Sequence, residues 1–218
     1  MDHTREHHSL LASAEKRLLV AIASRLPRWL TSDHLTLLGL CSLGAAGLAF
    51  SALAVTPWAA PALTLALAAN WFGDSLDGTV ARVRGQQRPR YGYYVDHVID
   101  LAGTAALFAG MGASGLMQPS IALALLAAYL LVSAEAYLAT HTVGIFRVSF
   151  AGVGPTELRI LLAAGAFYVA AHPWVDLAGA RVRLLDVSGL VAAAGLALVF
   201  VLSAIRNTRA LYLAEPLP

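Results

Sequence analysis

From Leu35 to Val55 the chain runs for 21 residues without a charged side chain. At about 1.5 Å of rise per residue, a helix of roughly 20 apolar residues crosses the hydrocarbon of a bilayer. Five further apolar stretches follow: Trp58 to Gly73, Gly92 to about Gly115, Ser120 to Ala139, Glu157 to Ala171 and Val187 to Ile205. These blocks predict an all-α integral membrane bundle of six transmembrane helices, with Ser32 or Asp33 as N-cap of the first. The composition agrees, since 58% of the residues are apolar, only 13% are charged and the mean hydropathy is +0.67. A soluble globule usually carries nearly twice that charge, and a disordered chain far less apolar material. Small residues in the first span, Gly44, Gly47 and Ser51, are expected to let helices pack closely.

The segment ahead of the first span is of a different kind. Leu10 to Ala14 is too short for a signal-peptide core before Glu15, Lys16 and Arg17 interrupt it, so no cleaved leader is expected. Leu11, Leu18, Ile22 and Trp29 recur at helical spacing, with Lys16, Arg17, Arg25 and Arg28 kept to other faces, which predicts an N-terminal amphipathic interfacial helix bent at Pro27. His3, His7 and His8 read as an exposed tail rather than a metal tract. The organisation expected is therefore residues 1–33 as an N-terminal segment, 34–210 as one membrane domain and 211–218 as a C-terminal tail. Cys41 is the sole cysteine, which excludes an intrachain disulfide and a thiolate zinc site.

An even number of spans puts both termini on one side. Of the 15 basic residues, only Arg181 and Arg183 fall on the other. The positive-inside tendency makes the basic side cytoplasmic, in the inner membrane if the source is bacterial. This spread of charge predicts a lipid bilayer and no nucleic acid as partner.

Chemistry concentrates between residues 74 and 100, where Asp74, Asp77, Gly78, Ala81 and Arg82 are followed, after nine residues, by Gly92, Asp96 and Asp100. Asp74 and Asp77 are three apart and Asp96 and Asp100 four apart, so each pair lies within roughly 60° on one helix face and about 5 to 6 Å apart. The second and third spans are consecutive and antiparallel, and their hairpin is expected to bring both pairs together on the cytoplasmic side. A buried aspartate costs about 2.5 to 3.5 kcal/mol at a helix centre, and a hard divalent cation held by the four oxygen ligands offsets both that cost and their repulsion. Gly78 leaves the backbone open to a ligand, and the Arg82 guanidinium can hold a phosphate oxygen with two donors. His97, inside the motif, is expected to face away from the carboxylates as a packing residue.

The run D-x-x-D-G-x-x-A-R, a spacer, then G-x-x-x-D-x-x-x-D resembles the signature of the CDP-alcohol phosphotransferase (CDP-alcohol phosphatidyltransferase) family, although the spacer from Arg82 to Gly92 is one residue longer than the family's pattern. The resemblance implies transfer of a phosphoalcohol group from a CDP-alcohol to an acceptor alcohol, with release of CMP and with two Mg²⁺ or Mn²⁺ ions. It makes Asp74, Asp77, Asp96 and Asp100 the metal ligands and Asp100 the catalytic base. It also makes Asp74, Asp77, Gly78, Ala81, Arg82 and Gly92 the CDP-binding residues, and it implies a homodimer. The stretch Gly154-Pro155-Thr156-Glu157, with His141-Thr142 before it, is similar to part of the choline and ethanolamine phosphotransferase branch. That similarity implies a CDP-aminoalcohol donor and a diacylglycerol acceptor. It places Glu135, His141, Glu157 and Arg159 at the acceptor site, with His141 as a second catalytic candidate.

Three alternatives remain open on the sequence. A CDP-diacylglycerol donor with a small polar alcohol acceptor keeps the same family. A membrane prenyltransferase also holds Mg²⁺-diphosphate with aspartates but does not explain Gly78, Ala81 and Arg82. A cation transporter needs a polar route across the bilayer, which the charge-free outward halves of the spans oppose.

Overall fold

A computed structural model describes residues 4–6, 12–147 and 154–215, with side chains for 15–144 and 154–215. His3, His7 and His8 lie outside the described residues. The described chain is all-α apart from four short strands. Its helices are α1 (Ala12–Arg25), α2 (Ser32–Ser51), α3 (Ala59–Val83), α4 (Pro89–Ala113), α5 (Pro119–Thr142), α6 (Pro155–Ala171) and α7 (Leu184–Ala214). Strand β1 (Thr4–Glu6) runs parallel to β2 (Ile145–Arg147), and β3 (Trp174–Leu177) pairs antiparallel with β4 (Ala180–Arg183).

Helices α2 to α7 correspond in order to the six apolar runs, but their boundaries differ from the expectation. Helix α3 does not stop at Gly73; it carries the first half of the motif within its own last turns. Helix α4 starts three residues before Gly92, with Pro89 in its first turn, where a missing N–H costs nothing. Helix α7 is 31 residues long and extends to Ala214, into the stretch expected as a tail. By length and composition α2, α5 and α7 can each cross a membrane. Helices α3 and α4 carry the motif's carboxylates within otherwise apolar stretches, and α6 is 17 residues long.

The cap of α2 is also not where the sequence placed it. Thr31 rather than Ser32 or Asp33 closes the helix, its hydroxyl accepting from the His34 N–H at 3.4 Å while its own N–H donates to His34 Nδ1 at 3.2 Å. Asp33 is thereby free to pair with Arg88 at 2.5 Å, tying the start of α2 to the start of α4.

Two apolar clusters hold the bundle. The larger unites Leu43, Phe50, Leu63, Leu67, Met111, Ile121 and Val169, from α2 to α6, at the end away from the aspartates. The smaller gathers Leu19 and Ala23 of α1 over Leu35, Leu76 and Val80. Helix α1 ends at Arg25, before Pro27, and faces the protein with Leu19, Ile22 and Ala23, continued past its end by Leu26, so the expected stripe is divided, Ile22 lying against the protein and Leu18 outward. Leu18, Val20 and Trp29 are exposed.

Glycines set how closely α2 approaches its neighbours. A Cβ on Gly110 of α4 would overlap the Gly47 carbonyl, and one on Gly73 of α3 would lie 2.5 Å from the Leu35 carbonyl and 2.7 Å from the Gly39 N. Backbone therefore meets backbone at both crossings, the close approach that small residues permit in membranes. Of the other small residues expected to serve this purpose, Gly44 has no neighbour within 4 Å of a Cβ position, and Ser51 turns back to the Leu48 carbonyl at 2.7 Å.

Candidate active site

The Gly73 crossing decides what stands next to it. With α3 pressed on α2, Asp74 occupies the last part of α3 where α4 and α6 also converge, and Gly39 packs 3.6 Å (from its Cβ position) below the Asp74 N. Asp74, Asp96 and Asp100 each offer a carboxylate oxygen, and these three atoms lie within 4.8 Å of one another. All three side chains are half-buried. An all-oxygen set at this spacing suits a hard cation, which holds its ligands at about 2.0 to 2.6 Å. The residues therefore fit a divalent ion.

The structure does not bring all four aspartates into one trio. Asp77 is buried at 8% exposure and turns toward α2, where its Oδ2 accepts from the Thr36 hydroxyl at 2.7 Å and its Oδ1 accepts from the Gly78 N–H. It stays close enough to interact electrostatically with Asp74 and Asp100, and each of its oxygens accepts one hydrogen bond. Three residues of helix turn α3 by roughly 60°, enough to aim Asp74 and Asp77 at different neighbours.

Arg159 of α6 supplies the nearest opposite charge. Its Nη2 donates to Asp74 Oδ2 at 2.5 Å and its Nε to Asn70 Oδ1 at 2.7 Å, while Asn70 Nδ2 donates to the Gly39 carbonyl at 3.0 Å. Asn70 is 1% exposed and sits one helical turn before Asp74, so it orients the arginine that meets the carboxylate. Asn70 is not among the residues expected from the motif; the signal for it is an amide in an apolar run, four residues before an aspartate on the same face. Nothing local in the sequence marks Thr36.

The arginines inside the motif do other work. Arg82 is exposed, folds back so that its Nη2 donates to Thr79 Oγ1 at 3.0 Å, and lies over Gly78, whose Cβ position is 3.2 Å from Nη1. The guanidinium, Gly78 and the neighbouring Ala81 thus share one face at the end of α3. Arg84 instead donates to the Leu26, Pro27 and Leu30 carbonyls, stapling the α1–α2 connection to α3. Gly92 is exposed, with open space around its Cβ position. His97 stacks on Tyr93 at 4.1 Å between ring centroids and meets Tyr137 edge-on at 4.8 Å, packing α4 against α5, but its Nδ1 lies 3.7 Å from Asp96 Oδ2, so it does not face away from the carboxylates as expected.

Of the expected acceptor group, Arg159 meets Asp74 directly. Glu135 accepts from Asn207 Nδ2 at 2.6 Å, linking α5 to α7. Glu157 accepts from the Gly154 N–H at 3.0 Å and so caps its own helix. His141 is exposed in the last turn of α5.

These features coincide with those of a recognised class. A family model for CDP-alcohol phosphatidyltransferase matches residues 29–205, and the chain belongs to that family. It is a CDP-alcohol phosphotransferase-type enzyme of phospholipid biosynthesis and an integral membrane protein. Among solved structures, its fold is similar to that of Mycobacterium tuberculosis phosphatidylinositol phosphate synthase (PgsA1), crystallised with CDP-DAG bound. The two share 22% identity and a TM-score of 0.52, over 90% of this chain and 92% of that one. No curated protein matches the sequence.

Proposed function

We propose that this protein transfers a phosphatidyl group from CDP-diacylglycerol to a small polar alcohol, releasing CMP. The single observation that carries the reading is the trio Asp74, Asp96 and Asp100, whose carboxylate oxygens lie within 4.8 Å of one another. The donor choice is supported by the CDP-DAG in the structural neighbour. The CDP-aminoalcohol donor suggested by Gly154-Pro155-Thr156-Glu157 and His141-Thr142 is the alternative, and the test below separates the two.

Asp74, Asp96 and Asp100 would hold a divalent cation, Mg²⁺ or Mn²⁺, which when bound would neutralise the donor's diphosphate and the charge left on CMP. Asp77 lends further negative charge from the side of α2. Asp100, deepest along α4, accepts the proton of the attacking hydroxyl. Arg82 contacts a donor phosphate oxygen over the open backbone at Gly78, with Ala81 and Gly92 leaving room for the nucleotide. Arg159 orients Asp74 and faces the acceptor.

In the bilayer, α2 to α7 form six spans, residues 34–210 constitute the membrane domain, and α1 lies in the interface with Leu18, Val20 and Trp29 toward lipid. The basic residues at one set of span ends support a cytoplasmic site with both termini on the same side. The resemblance to the family supports a homodimer. The test is CMP release by the purified protein with Mg²⁺ or Mn²⁺ and a panel of CDP-alcohols and acceptors. Turnover with CDP-diacylglycerol plus a small polar alcohol is expected, whereas turnover only with CDP-choline or CDP-ethanolamine and diacylglycerol would refute the donor assignment.

A further inference from the structure

We infer that Glu15, on the N-terminal helix α1, is a positioning residue for the transfer site, acting through the first turns of α6 on the contact between Arg159 and Asp74. The inference rests on the reading of the aspartate trio as that site.

One carboxylate oxygen carries the link. Glu15 Oε1 accepts from the Trp71 indole Nε1 at 2.6 Å and from the Thr156 hydroxyl at 2.8 Å, so a single atom of α1 joins α3 to α6. The two donors are not arbitrary points on those helices. Trp71 precedes Asp74 by three residues on α3, and Thr156 precedes Arg159 by three residues on α6, a spacing that puts each pair on one helix face about a turn apart. Two contacts therefore tie α6 to this part of α3: Glu15 joins the first turn of α6 to Trp71, and Arg159, a turn further along α6, joins Asp74 at 2.5 Å and Asn70 at 2.7 Å. The carboxylate also stands at the N-terminal end of α6, where exposed N–H groups favour negative charge.

Losing the Glu15 link lets the start of α6 shift relative to α3, and Arg159, one turn further along α6, shifts with it. A displacement near 1 Å at a reacting site costs up to about a hundredfold in rate. The same displacement has a second consequence. The Arg159 guanidinium is a positive charge beside oxygens that suit a cation, so loosening it strengthens Mn²⁺ binding at the trio.

The experiment uses the full chain in detergent or nanodiscs. Glu15→Gln keeps an oxygen able to accept both hydrogen bonds and is expected to retain turnover to within about twofold. Glu15→Ala removes the acceptor, and its turnover with the CDP-alcohol should fall on the order of tenfold to a hundredfold. Mn²⁺ titration followed by electron paramagnetic resonance should show the midpoint moving to lower Mn²⁺ in Glu15→Ala and in Arg159→Ala. In the double variant neither rate nor midpoint should change beyond Arg159→Ala alone, because Glu15 then has nothing to act through. Trp71→Phe and Thr156→Val each remove one donor and should give the same direction of change if Glu15→Ala does not fold. Wild-type turnover and Mn²⁺ midpoint in folded Glu15→Ala, or losses that multiply fully with Arg159→Ala, would overturn the inference. If the wild-type protein releases no CMP from any CDP-alcohol, the functional reading fails, and the Mn²⁺ midpoints alone still decide whether Glu15 acts on Arg159.

Discussion

Replacing Asp96 by asparagine should make the metal-free protein more stable while removing most of its response to metal. The three carboxylate oxygens of Asp74, Asp96 and Asp100 lie within 4.8 Å of one another. At that distance two ionised groups repel by about 3.5 kcal/mol at an effective dielectric of 20, and losing Asp96 removes two of the three repulsions. Arg159 already offsets charge at Asp74, and water and proton uptake relieve more, so the net gain is about 1 to 2 kcal/mol. For a chain of this size that is an increase in Tm of roughly 2 to 8 °C. The wild-type protein, with Mn²⁺ at about a hundred times its Kd, gains about 2.7 kcal/mol, or roughly 5 to 11 °C, most of which Asp96→Asn forfeits. Asp77 supplies a control of opposite sign, because it accepts from Thr36 and Gly78 and stands outside the trio. Asp77→Ala should lower the metal-free Tm, each lost hydrogen bond to a charged group being worth about 1.5 to 3 kcal/mol. Differential scanning fluorimetry in detergent, with EDTA and then with Mn²⁺, reads both quantities. A lower Tm for Asp96→Asn in EDTA, or an undiminished Mn²⁺ shift, would refute the reasoning.

Arg82→Lys should raise KM for the CDP-alcohol roughly tenfold by losing the planar fork, whereas Arg88→Lys should change it less than twofold, since its pair with Asp33 is exposed; equal effects would mean that the phosphate contact is misassigned. Gly110→Ala drives a Cβ into the Gly47 backbone, which no rotamer can relieve, and should cost about 1 to 3 kcal/mol in thermal stability. Gly44→Ala, with open space around it, should be neutral or slightly stabilising, and an equal loss at both positions would contradict the observed α2–α4 crossing. His141→Ala, at an exposed helix end, should leave CMP release within about twofold of wild type. A tenfold loss with Mn²⁺ affinity intact would return that histidine to the acceptor site.

The sequence determined what depends on local periodicity. Uncharged runs as long as Leu35 to Val55 can be little else than helices, and the apolar blocks mark out α2 to α7 in order, because helix length and hydropathy are properties of neighbours in the chain. The motif from Asp74 to Asp100 was legible as two carboxylate-bearing helix ends for the same reason. Element ends were less so: Thr31 rather than Ser32 caps α2 because His34 reciprocates its hydrogen bond, a choice among adjacent candidates that spacing leaves open. What only tertiary structure decided is where each carboxylate points. Asp74 and Asp77 lie about 60° apart around α3, and at a crossing of several helices that angle sends one to α4 and α6 and the other to Thr36 of α2. The rotation of α3 that makes this division is set by its backbone contact with α2 at Gly73 and Gly39, 34 residues apart in sequence. Arg159 and Glu15 reach α3 across 85 and 56 residues of chain, and no periodicity within either segment encodes such a meeting, which depends on the packing of three separate helices.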